Sequence, residues 1–115
     1  MILIKKKVRK IFFGLKKKQV IKDVGIIKIK NNEMVSFQAG NKKFHEVTRK
    51  NWGFYATQSI NHRLKKIFKT ALVKNTQGKI FLMLVEKDKI KKFKKYCLDE
   101  KQIIIKWLDE IKVKK

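Results

Sequence analysis

Between Arg49 and Arg63 the chain gathers residues that its remainder almost lacks. The stretch Arg49-Lys50-Asn51-Trp52-Gly53-Phe54-Tyr55-Ala56-Thr57-Gln58-Ser59-Ile60-Asn61-His62-Arg63 holds two of the three arginines, one of the two histidines, one of the two tryptophans and one of the two tyrosines. Arginine grips phosphate, sulfate or carboxylate through a planar fork of donors, which lysine cannot reproduce. Ser59 has the position of a helix N-cap, followed by Ile60, Leu64, Ile67 and Phe68 at helical spacing. A helix over about 59–67 would aim its first N–H groups at residues 57–59 and make an anion cradle. The expected binding set is therefore Arg49, Tyr55, Thr57, Ser59, Asn61, His62, Arg63 and Lys66. Tyr55 would supply an aromatic wall, whereas Trp52 and Phe54 read as core packing at the corner that enters the helix.

Other chemistry finds less support. His45 and His62 are far apart, and His45-Glu46 lacks the second histidine of a zinc-protease motif. The five glycines are scattered, so no phosphate loop forms. Asp99-Glu100 and Asp109-Glu110 are adjacent pairs, which do not share a helix face, and both read as caps and surface charge. Ser59 is better explained as a cap than as a nucleophile. A metal-independent phosphoryl-transfer site of Arg49, Tyr55, His62 and Arg63 lacks a base with an orienting partner, so the reading leans away from an enzyme. No cofactor or metal is expected.

Charge sets the partner class. With 32 Lys and Arg against nine Asp and Glu, the net charge is +23. Such a field repels itself and is relieved by a polyanion. Lysine excess with abundant Ile and Asn is also the bias of an AT-rich coding sequence, but that bias raises Glu too, and acids are few. Nucleic acid held through its phosphates is the first reading. The alternatives are an anionic membrane surface and an anionic small molecule such as a sugar phosphate or nucleotide sugar. Low arginine content argues for weak base specificity.

The elements that must position these residues follow from periodicity. Residues 1–22 carry nine basic residues and no acid, with Ile4, Val8, Ile11, Phe12 and Leu15 at helical spacing. They read as a basic amphipathic arm, packed as a helix or strand, laid along phosphates, or lying in a membrane interface. Its cations are Lys5, Lys6, Lys7, Arg9, Lys10, Lys16, Lys17 and Lys18. Residues 23–115 read as one α+β domain, large enough to fold around a 43% hydrophobic content without disulfides.

Within it, strands are expected over Val24–Lys30, from Met34 to Ala39, and from Phe44 to Arg49, joined at Asn31-Asn32 and Gly40-Asn41 into a three-stranded meander. A hairpin over 69–87 turns at Asn75-Thr76-Gln77-Gly78. Its second strand contains Ile80-Phe81-Leu82-Met83-Leu84-Val85, the most apolar run, which reads as a central strand covered on both faces. Asp88 would cap a helix carrying Ile90, Phe93 and Cys97, and Asp99 with Gln102 would open a final helix through Ile104, Trp107, Leu108 and Ile111. The expected order is β-β-β-α-β-β-α-α, about five strands. Cys97 is the one cysteine, so no disulfide framework exists within a chain. No run reaches the ~18 apolar residues of a membrane span, and Met1-Ile2-Leu3-Ile4 precedes its lysines, the reverse of a secretory signal. The expected location is cytoplasmic, with membrane-peripheral association as a variant.

Overall fold

A computed structural model of the chain describes residues 2–4, 9–16 and 18–113. They divide into two compact units, 1–57 and 58–115. The architecture is mostly antiparallel β-sheet with one α-helix, an α+β composition richer in strands than expected.

The first unit is all β. Strands β1 (Ile2–Ile4) and β2 (Arg9–Phe13) stand where helical spacing was read, and they pair with β4 (Ile26–Lys28) and β3 (Gln19–Asp23) respectively. The two ladders are nested in sequence, Ile2 opposite Lys28 outside and Phe13 opposite Gln19 inside. Ile11 faces Ile21, and Phe12 faces Val20. These β-branched and aromatic pairs are what a pleated ladder rewards and what a helix penalises.

Strand β4 pairs with β1, so it is not part of the expected meander. The meander is instead β5 (Met34–Gln38), β6 (Phe44–Lys50) and β7 (Gly53–Ala56), in that order in the sheet. Its first turn falls at the expected Gly40-Asn41, with Gly40 at φ +75° and Lys42 at φ +59°. Asn32 sits at φ +66°, a conformation asparagine tolerates, and its N–H donates to the Arg49 carbonyl at 2.7 Å. Among the described residues of this unit only Thr48 is buried, at 9% exposure, and no apolar side chain is.

The second unit has a conventional core. Strands β8 (Phe68–Lys74) and β9 (Ile80–Glu86) make the expected hairpin, with Gly78 at φ +79° in its turn. Helix α1 (Ile90–Asp99) follows, then β10 (Ile103–Trp107), which pairs antiparallel with β8. The order across the sheet is β10-β8-β9, so β8 is central and the most apolar strand lies on the edge. Ala71, Val73 and Cys97 form the buried centre, with Met83, Phe93, Tyr96, Ile104 and Trp107 against it.

Three expectations are corrected here. The final helix is strand β10 followed by a 3₁₀ turn at Leu108–Glu110. Ile103-Ile104-Ile105 are β-branched, and β8 offers an open edge that outweighs the capping pattern at Asp99 and Gln102. Asp88 is not the cap of α1: the N-cap position is Lys89, whose side chain makes no capping bond. The helix over 59–67 is a run of turns ending in a 3₁₀ turn at Leu64–Lys66. Leu64 and Phe68 are both buried as the stripe required, but Phe68 begins β8 opposite Glu86. What remains is too short to repay helix nucleation. No helix among the described residues is long and apolar enough to cross a membrane.

Candidate functional site

The stretch 49–66 is shared between the units: Arg49, Tyr55 and Thr57 belong to the first, and Ser59, Asn61, His62, Arg63 and Lys66 to the second. In the first unit β6 and β7 meet at a two-residue turn, Asn51-Trp52, closed by Lys50 opposite Gly53. Gly53 has φ +148°, outside the range of most side chains. Arg49 tightens this turn. Its Nη1 donates to the carbonyls of Lys50 and of Gly53, the latter at 3.3 Å, and its guanidinium lies 5.3 Å from the centre of the Phe54 ring. The half-buried arginine, expected in the anion-binding set, is engaged within its own hairpin.

Strand alternation places Arg49 and Phe54 on one face of the meander and Thr48 and Tyr55 on the other. Thr48 and Thr57 share a hydroxyl–hydroxyl hydrogen bond of 2.5 Å, and the Thr57 N–H donates to the Glu46 carbonyl at 2.9 Å. Trp52 and Phe54 are not core. They are 69% and 62% exposed, Tyr55 is 43% exposed, and the Trp52 and Tyr55 rings stack with centroids 6.1 Å apart. They lie on or beside β7, a four-residue strand at the edge of its sheet, a position the sequence alone could not disclose.

In the second unit Ser59 does organise the following turn. Its Oγ accepts the Arg63 N–H at 3.1 Å, and its carbonyl accepts those of His62 and Leu64 at 3.2 and 2.9 Å. Asn61, His62, Arg63 and Lys66 are exposed around it. With a three-residue 3₁₀ turn in place of a helix, the aligned helix dipole expected to cradle an anion does not form.

The β2–β3 ribbon concentrates the remaining cations. Arg9 faces Asp23 and pairs with it at 3.2 Å. Lys10 stands directly opposite Lys22 on the other face, beside Phe12 opposite Val20. Phe12 is 57% exposed, and the Lys18 ammonium lies 5.2 Å from its ring centre. Lys16 is exposed, whereas Lys5, Lys6, Lys7 and Lys17 fall outside the described residues. Lys22 was missed by the sequence reading. Its signal was the alternation Lys10, Phe12 against Val20, Lys22, which becomes visible only when the segment is read at a period of two.

Burial shifts the His45 imidazole, the Tyr96 hydroxyl and the Cys97 thiol. The His45 imidazole is held below its usual range, with the neighbouring Glu46 opposing the shift; the ring stacks on Phe37 at 6.4 Å. The buried Cys97 thiol is pushed up, which makes it a poor nucleophile. No group of three His, Cys, Asp or Glu side chains gathers in metal-binding geometry among the described residues. The chain matches no protein-family model, no curated protein and no solved structure.

Proposed function

We propose that the protein binds nucleic acid through phosphate contacts, with the β2–β3 ribbon as the principal surface. The observation that carries this reading is the placement of Lys10 directly opposite Lys22 beside an exposed Phe12. Like charges paired across a ladder destabilise the hairpin that holds them, and a phosphate between them removes the repulsion. A two-stranded ribbon fits a duplex major groove, and exposed aromatics such as Phe12, Trp52 and Tyr55 give unpaired bases a stacking surface. Residues 1–57 carry 15 basic and three acidic side chains, hence +12, so the ribbon belongs to a unit of strongly positive net charge.

The membrane-surface reading relied on an amphipathic helix in the N-terminal arm. Strands occupy 2–4 and 9–13, which leaves that reading without its helix.

The test is the double variant Lys10→Ser/Lys22→Ser, titrated with single- and double-stranded oligonucleotides over a range of salt. Removing two phosphate contacts should flatten the slope of log K against log salt by roughly 1.4 for single strands and roughly 1.8 for duplex. The same variant should be more stable without ligand, by about 0.5 kcal/mol, because the opposed charges are gone. An unchanged slope would exclude the ribbon. Binding only to anionic vesicles, with none to either oligonucleotide, would return the membrane reading.

A further inference from the structure

Strand β9 is in the wrong place for its sequence. Ile80 to Val85 is an uninterrupted apolar run, the pattern of a strand paired and covered on both sides. The sheet order leaves it on the edge, with Ile80, Phe81 and Leu82 at 58%, 46% and 59% exposure. Proteins normally blunt such an edge with a charge, a proline or a bulge. Residues 80–85 contain no charge and no proline, and the ladder to β8 is regular from Phe68 opposite Glu86 to Lys74 opposite Ile80. Alternate N–H and C=O groups along β9 therefore face outward, with no strand paired to them among the described residues.

A groove of about 520 Å³ runs beside that edge. One wall is the strand itself, Met83 to Glu86. The other is the side of α1 and its approach that carries Lys89, Lys92, Phe93 and Tyr96. The groove thus offers a backbone template, apolar surface and cations together. Glu86 pairs with Lys89 at 3.4 Å, and Lys92 lines the same groove.

We propose that β9 is completed in the working protein by an extended strand from a partner protein, apolar in its centre and acidic at its ends, added alongside β9 next to α1. Charge selects this occupant over a second copy of the chain. The apolar run is preceded by Lys79 and followed by Glu86 and then Lys87. Antiparallel pairing of two copies about Met83 would set each Lys79 against the other copy's Lys87, in a protein of net charge +23. The flanking lysines discourage self-pairing as gatekeepers do. They attract a strand ending in Asp or Glu, and Lys92 adds to that preference. A nucleic acid cannot match the alternating donors and acceptors of a strand edge. This site is separate from the ribbon, and it stands whether or not the protein binds nucleic acid.

The test uses the full chain and three fluorescein-labelled eleven-residue peptides. They share a centre of alternating Val and Thr and end in Glu-Glu, Ser-Ser or Lys-Lys. By anisotropy the Glu-ended peptide should bind at least tenfold more tightly than the Ser-ended one, and the Lys-ended one should not bind. N-methylation of alternate amides should abolish binding in one phase and spare it in the other, because only one edge of the added strand pairs with β9. Lys92→Glu, at an exposed position, should weaken the Glu-ended peptide and rescue the Lys-ended one. The proposal is overturned if both methylation phases bind alike, if the Glu-ended peptide fails to bind at millimolar concentration, or if oligothymidylate protects the β9 amides in its place. It is equally overturned if sedimentation shows a dimer that Leu82→Lys dissolves.

Discussion

Asp109 shows how much one residue can do that its sequence neighbourhood hides. Read in sequence it is half of a surface acidic pair, yet it is 2% exposed. Pairing of β10 with β8 ends at Trp107 opposite Ala71, and the chain then turns through Leu108–Glu110. That turn brings the Asp109 Oδ1 to within 3.0 Å of the Thr70 N–H, so the carboxylate continues the ladder that β10 abandons. Its Oδ2 accepts from the Lys69 ammonium at 3.1 Å, and Lys69 also reaches Glu110 at 2.8 Å and lies 4.9 Å from the Trp107 ring centre. Burial works to raise the Asp109 pKa, but the Thr70 N–H and Lys69 outweigh it and hold the group below its ordinary 3.8. Its contribution is therefore present above pH 3.8 and lost as pH falls through the lowered folded value. Asp109→Ala should cost about 1–3 kcal/mol, since it strands the buried Thr70 N–H and leaves Lys69 with Glu110 alone. Asp109→Asn should cost less and remove the acid-induced loss. Urea unfolding followed by Trp107 fluorescence in a Trp52→Phe background checks both.

At the level of elements, the β6–β7 hairpin depends on a side chain rather than on ideal turn chemistry. Asn51-Trp52 is not a strong two-residue turn sequence, since tryptophan has no preference for the left-handed region. Arg49 compensates by holding the carbonyls on both sides of the turn and covering Phe54. Arg49→Ala should lower local stability by about 1–2 kcal/mol, read as faster amide exchange over β6 and β7. Arg49→Lys should recover only part of this, because an ammonium cannot span two carbonyls with the same planar fork. If phosphate affinity collapsed while hairpin exchange stayed unchanged, Arg49 would belong to the ligand and not to the turn.

At the level of the whole molecule, buried apolar surface is distributed unevenly. Leu64, Phe68, Ala71, Val73, Val85 and Cys97, the buried apolar side chains among the described residues, all lie in 58–115. The described residues of β2 and β3 are exposed or half-buried, and Lys10 stands opposite Lys22. Native-state hydrogen exchange should therefore be slowest at Ala71 and Val73 in β8 and fast along β2 and β3. Saturating oligonucleotide should slow the ribbon far more than β8, because a ligand stabilises what it binds. Equal protection of both units in the free protein would contradict this distribution.

What the sequence determined by itself is the part of the fold that depends on neighbours along the chain. Asn31-Asn32, Gly40-Asn41 and Asn75–Gly78 specify backbone conformations that few other residues accept, and the turns are where they were expected. The 69–87 hairpin and the helix carrying Ile90, Phe93 and Cys97 follow from strong local periodicity. Polyanion affinity likewise remains a reading of composition, now attached to a proposed surface. Only the tertiary structure decided which strands are central and which side chains are covered. Ile103–Trp107 became a strand because β8 had an open side, and β9 became an edge because β10 took that side. Residues 9–13 fit both a helical and an alternating pattern, and the choice was made by Ile21 and Val20 across the ladder. A period in sequence fixes which residues share a face; whether anything covers that face depends on segments distant in sequence, which no local pattern encodes.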